Sequence, residues 1–186
     1  MTVLRLLFAV LLLSQPLAAQ TCPPSSLETA REAELIEGLR EAADAAAARS
    51  YNTRLWELWT EAPDDRAQTL LDSGMARLRL GDIGKALKAF EALVAYCPDY
   101  AEGYNQRAFA HYLRQDFAPA LADLDAALAR SPRHIGALSG KALTLMGLGR
   151  DRAALEALEA ALALNPWLSE RALLPVLKRR LGETKL

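Results

Sequence analysis

Internal repetition constrains this chain more than any other feature. Pro98, Pro132 and Pro166 recur every 34 residues, and Ala86, Ala120 and Ala154 keep the same step. So do the turn positions Gly81, Gln115 and Gly149, the small residues Gly74, Ala108 and Ala142, and the bulky residues Phe90, Leu124 and Leu158. Three units follow, 67–100, 101–134 and 135–168. Each holds a helical pattern, a break, a second helical pattern and a proline. Small residues at the eighth and twentieth positions let two antiparallel helices approach closely. The bulky twenty-fourth residue fills the space against the next unit, and proline ends the second helix. One hairpin cannot bury its apolar face alone, so three of them stack into a curved solenoid. The abundance of alanine, the best helix former, supports an all-α chain.

These positions resemble the tetratricopeptide repeat family, and the resemblance runs over residues 67–168. There are departures. The family's aromatic fourth position holds Leu70, Tyr104 and Leu138, its leucine at position seven is Ser73, Arg107 and Lys141, and Arg77 and His111 stand at a normally aromatic eleventh position. The resemblance implies an α-solenoid of stacked antiparallel hairpins with N- and C-terminal capping helices, whose first helices line a concave groove. The matching groove positions are Leu71, Met75 and Leu78, then Asn105, Phe109 and Tyr112, then Ser139, Leu143 and Met146. Such a groove is largely apolar and suits an amphipathic helix or an apolar extended peptide. The other reading of these side chains is internal packing, or cover by the chain's own helix over 27–49. The clamp that holds a terminal carboxylate in chaperone-binding members falls here on Leu71, Met75, Gly136 and Gly140, so it is missing. Residues 93–107 are also similar to uncharacterised exported members of Gram-negative bacteria, which implies a compartment and no activity.

The flanks carry further expectations. Residues 1–19 have the form of a secretory signal peptide: a short positive start with Arg5, an apolar run over 6–13, and small residues near Ala18-Ala19. Cleavage near Ala19 or Gln20 predicts a periplasmic or secreted protein, with no stable membrane insertion afterwards. Residues 20–64 read as a helical hairpin that serves as a degenerate repeat or cap. Its first helix covers 27–49, with Glu32, Glu37 and Glu41 turned to solvent, and its second covers 51–62. Trp56 and Trp59, three apart, share a face of that second helix. They belong to the cap, or they dock a partner. Residues 169–186 read as a C-terminal capping helix interrupted by Pro175, with Lys178, Arg179 and Arg180 in its last turn. In an oxidising compartment Cys22 and Cys97 can pair as a disulfide. Otherwise Cys97 is simply buried and Cys22 loose.

No catalytic constellation stands out. His111 and His134 are isolated, and Asp123 and Asp125, two apart on a helix, do not face one another. No glycine-rich phosphate loop, nucleophile elbow or zinc-protease motif occurs, so no cofactor and no metal is expected. A formal net charge of −1 removes the electropositive footprint that nucleic-acid binding needs. With 52% hydrophobic residues the chain is too apolar for a disordered tail. The leading expectation is a non-enzymatic, exported scaffold that binds an envelope protein or peptide through its concave face. The alternative is a self-associating structural envelope protein, a homodimer through the groove or the tryptophan face. An enzyme with an unrecognised site is the remote third.

Overall fold

The computed structural model describes residues 21–24 and 29–183, so the signal-peptide reading of 1–19 lies outside the described residues. The described residues form helices and no strands. The three units are the hairpins α3 (Asp65–Arg79) with α4 (Ile83–Tyr96), α5 (Ala101–Leu113) with α6 (Phe117–Arg130), and α7 (Ile135–Gly147) with α8 (Asp151–Leu164). Within each unit the two helices pack side by side, and α4 on α5 and α6 on α7 join the units in series. This is the solenoid that the 34-residue period implies.

Side-chain volume explains the repeated positions. A Cβ built on Gly74 would lie 2.3 Å from Cε1 of Phe90, so the fully buried phenylalanine leaves room only for glycine. In the next two units the bulky residue is leucine, and the facing residue grows to alanine: Ala108 clusters with Leu124, and Ala142 with Leu158. Ala86, Ala120 and Ala154 are fully buried at the helix crossings. The turns between paired helices use the left-handed region at Gly81 (φ 73°), Gln115 (φ 62°) and Gly149 (φ 69°). Helix α3 starts at Asp64, whose side chain accepts the Ala67 N–H at 2.8 Å and the Tyr96 hydroxyl at 2.7 Å. Led by the Ala67 N–H, those donors hold its carboxyl below the usual carboxylate range.

The N-terminal hairpin differs from expectation in both its break and its place. It consists of α1 (Thr29–Arg40) and α2 (Ala45–Thr60), not of helices over 27–49 and 51–62. Asp44 makes the difference: its carboxylate accepts the N–H groups of Ala46 and Ala47, both at 2.8 Å, and so starts a new helix inside the expected first one. The hairpin core of Leu35, Ile36, Leu39, Leu55 and Trp59 closes on Ile135, with Leu164 and Leu168 packed against it. Helix α1 thus meets α8, and α2 meets α5. The hairpin folds inward onto the second and third units, where a cap on the first unit was expected. At the other end a 3-10 turn over Ser169–Leu173 leads into α9 (Leu174–Arg180), and Pro175 stands in its first turn, where its missing N–H costs nothing. Leu177 is fully buried against Leu155 and Leu158, so α9 covers the third unit.

A disulfide joins Cys22 to Cys97 with a Cα–Cα distance of 5.1 Å across a separation of 75 residues. It fastens residues 21–24 to the end of α4. In the chain-entropy picture, closing a loop of this length contributes ~4 kcal/mol.

Candidate functional site

The first helices of the three units line an apolar groove of about 350 Å³. Helix α3 supplies Met75, Leu78 and Arg79, α5 supplies Asn105, Gln106, Ala108, Phe109 and Tyr112, and α7 supplies Gly136, Gly140, Leu143 and Thr144. Leu124 of α6 shows in the floor, and Trp56 of α2 stands at the side. Phe109 is 49% exposed and Trp56 37%, a large aromatic surface left without cover. In unit coordinates the lining of these first helices centres on positions two, five, six, nine, twelve and thirteen, with Ala108 at eight and Thr144 at ten beside them. That is one stripe of a 3.6-residue helix.

Six of the nine groove residues expected from sequence line this surface: Met75, Leu78, Asn105, Phe109, Tyr112 and Leu143. Three do not. Leu71 follows Ala67 and precedes Gly74 on the stripe of α3 that faces α4, and it is fully buried beside Phe90 and Leu93. Ser139 is buried, and its hydroxyl donates to the Gly136 carbonyl at 3.2 Å. Met146 packs into the cluster around Leu145 and Leu158. On α7 the open side runs through Gly136, Gly140, Leu143 and Thr144, whereas Ser139 and Met146, at the unit positions of the groove-lining Asn105 and Tyr112, are turned into the packing. Sequence reasoning missed Arg79, Gln106, Ala108, Leu124, the two glycines and Thr144. Continuing the stripe by threes and fours from Phe109 and Leu143 would have found Gln106, Gly136 and Gly140.

Behind the groove lies a buried polar network that positions its side wall. Glu102 and His134 are each 1% exposed. The Glu102 carboxylate accepts from the Asn105 amide at 3.0 Å, the Gln106 amide at 2.6 Å and His134 Nε2 at 2.8 Å. His134 Nδ1 meanwhile accepts the Ala137 N–H at 3.2 Å as the N-cap of α7, so the ring proton sits on Nε2. The Trp59 ring stacks on this imidazole, with centroids 4.1 Å apart, and its Nε1–H donates to Glu32 at 3.0 Å. Glu32 also receives Ser131 Oγ at 3.4 Å and Arg133 at 3.3 Å. It is buried, contrary to the solvent-facing position expected for it. Trp56 and Trp59 therefore divide their roles: Trp59 locks α2 to the solenoid, and Trp56 is presented to the groove.

The chemistry of this arrangement is binding. The Glu102–His134 pair is sealed and its hydrogen bonds are committed. His111 lies aside with its Nδ1 3.9 Å from Asp116, too far for a hydrogen bond. Among the described residues no three His, Cys, Asp or Glu side chains are placed to hold a metal ion, and no helix is long and apolar enough to cross a membrane.

Comparison with known proteins agrees with this architecture. The tetratricopeptide repeat family profile matches residues 135–166. A TPR repeat-containing protein of Rhizobium etli is 37% identical over 81 residues, which make up 44% of this chain and 40% of that protein. Among solved structures, the first TPR of Spaghetti (RPAP3) bound to an HSP90 peptide superposes with a TM-score of 0.62 at 22% identity, over 63% of this chain and 94% of that one. MamA residues 41 to the end, from Desulfovibrio magneticus, superposes with a TM-score of 0.59 at 18% identity, over 87% and 89%. The TPR2B domain of yeast Sti1 in complex with an Hsp70 peptide gives 0.58 at 24% identity, over 66% and 100%. The repeat spacing, the stacked hairpins and these matches agree: residues 135–166 match a tetratricopeptide repeat, and the described residues have the all-α fold of stacked hairpins seen in tetratricopeptide repeat proteins.

Proposed function

We propose that this chain is an exported, non-enzymatic adaptor that binds another protein of the cell envelope through its concave groove. The observation that carries this reading is the exposed apolar stripe shared by α3, α5 and α7, with Phe109 and Trp56 uncovered beside it. A contiguous apolar surface of this kind on a soluble domain marks an interaction site. The TPR domains of RPAP3 and Sti1 are seen with bound chaperone peptides, which supports a peptide or protein as occupant. Export is supported by the signal-like first 19 residues and by the Cys22–Cys97 disulfide, a bond that persists in oxidising compartments.

The test is cross-linking capture from the native envelope, comparing the wild type with Phe109→Asp combined with Tyr112→Asp. Both side chains line the groove, so a charge there should abolish capture while circular dichroism stays helical. Asn105 is a poor probe because its amide supports Glu102. Equal capture by wild type and variant, with an intact fold, would overturn the groove assignment. A concentration-dependent dimer in light scattering that the same variant disrupts would replace the adaptor reading with self-association.

A further inference from the structure

The groove's chemistry narrows what can fill it. Its lining is almost wholly apolar, and its two amides, Asn105 and Gln106, are each anchored by an N–H donated to the buried Glu102. An extended peptide carries an unsatisfied N–H and C=O at nearly every residue, and an apolar wall cannot answer them. A helix brings its backbone bonds satisfied. Gly136 and Gly140, one turn apart on α7, add no side chain to the lining, because a Cβ there would press on His134 at 3.3 Å and on Leu124 at 3.2 Å. On that same wall the Thr144 hydroxyl is buried and has no hydrogen-bond partner. Arg79 is the charged residue of the lining, exposed and with no carboxylate paired to it among the described residues.

Resting on the groove reading above, we propose that the occupant is an amphipathic α-helix of another protein. Its apolar stripe lies on Met75, Leu78, Phe109 and Leu143, and an acidic side chain at its edge meets Arg79. Trp56, held in place by the Trp59–His134 stack, closes over the helix from the side. Arg79 sets the charge preference, and the apolar lining, which offers few partners to an extended backbone, sets the helical conformation.

The experiment uses the full disulfide-bonded chain and three fluorescein-labelled 18-residue peptides. One has leucines at i, i+3, i+4 and i+7 flanked by glutamates. The second has the same leucines flanked by lysines. The third is the glutamate peptide with a central proline. Anisotropy titration should show the glutamate peptide binding at least about threefold more tightly than the lysine peptide, with Arg79→Glu reversing that order. The proline peptide should not bind, and Phe109→Asp should abolish binding of the other two. Equal binding of the two charge forms, or no effect of Arg79→Glu, overturns the acidic partner. Undiminished binding of the proline peptide overturns the helix. Failure of every peptide overturns both, and the groove reading then still stands if Phe109→Asp with Tyr112→Asp abolishes envelope capture. A dimer that competes with the peptides and is lost in Phe109→Asp makes a second copy the occupant and overturns the proposal.

Discussion

At the scale of single residues, the repeat is kept by matched volumes and by turn conformation, not by identity. Gly74 and Phe90 form one solution to the helix crossing, and Ala108 with Leu124 and Ala142 with Leu158 form another. Turn position fifteen shows the one mismatch. Gly81 and Gly149 adopt positive φ freely, whereas Gln115 holds φ 62° with a side chain attached. A non-glycine residue there carries ~1–2 kcal/mol of strain, and glycine returns ~0.5–1 kcal/mol of extra backbone entropy to the unfolded chain. Gln115→Gly should therefore stabilise the protein by roughly 0.5–1 kcal/mol, read as a higher urea midpoint with an unchanged slope. An unchanged or lower midpoint would mean that the glutamine side chain contributes contacts that outweigh the strain.

At the scale of helices, charged residues that break the family pattern turn out to be paired across elements. Position seven carries Arg107 on α5 and Lys141 on α7, where the family has leucine. Arg107 makes two hydrogen bonds to Asp123 of α6, at 2.8 and 2.6 Å, and the pairing raises its affinity for its proton. Lys141 reaches Asp125 of the same helix at 2.7 Å. The Asp-Leu-Asp segment thus sends one carboxylate to each neighbour and ties α5, α6 and α7 together. Sequence could mark these cations as departures, but their partners lie 16 residues away and appear only once the helices are packed. The groove register was hidden in a similar way. Position nine was legible in all three units, whereas Leu71 and Ser139 share position five with the groove-lining Asn105, and Met146 shares position twelve with Leu78 and Tyr112, so neighbouring helices, not periodicity, decide which of them stays uncovered. Arg107→Leu should cost roughly 2–3 kcal/mol, because it strands a nearly buried Asp123, and adding Asp123→Leu should recover most of it. Thermal melts of the two singles and the double variant check this, and strictly additive losses would mean that the pair contributes nothing as a pair.

At the scale of the whole molecule, the solenoid was legible because its period is written in the residues, and the place of the N-terminal hairpin was not. Stacked repeats normally touch only their neighbours. Here Glu32 binds Ser131 and Arg133, 99 and 101 residues away, and Trp59 stacks on His134, so the chain closes on itself. Nothing in the local pattern of α1 distinguishes Glu32 from Glu37, since both occupy polar positions of an amphipathic helix, and only the fold-back buries one of them. Tyr100 fastens the same junction from the boundary between the first and second units. Its hydroxyl donates at 2.7 Å to the Trp59 carbonyl, in the last turn of α2, where helix carbonyls lack an intrahelical partner. Burial pushes the Tyr100 phenol well above its ordinary range, and the negative charge of Glu102 adds to that. A folded-state value above the unfolded one, ~10, means that the tyrosine's contribution is complete below that pH. It is lost as pH rises beyond ~10, at up to about 1.4 kcal/mol per pH unit until the folded group ionises as well. Tyr100→Phe should cost roughly 1 kcal/mol at neutral pH, for the lost bond to the carbonyl, and should flatten the alkaline limb of stability relative to wild type. Urea unfolding at pH 8, 10 and 11 measures both effects. The gap between the two proteins should close or reverse at the highest pH, whereas a gap independent of pH would mean that the Tyr100 phenol ionises as readily in the folded chain as in the unfolded one.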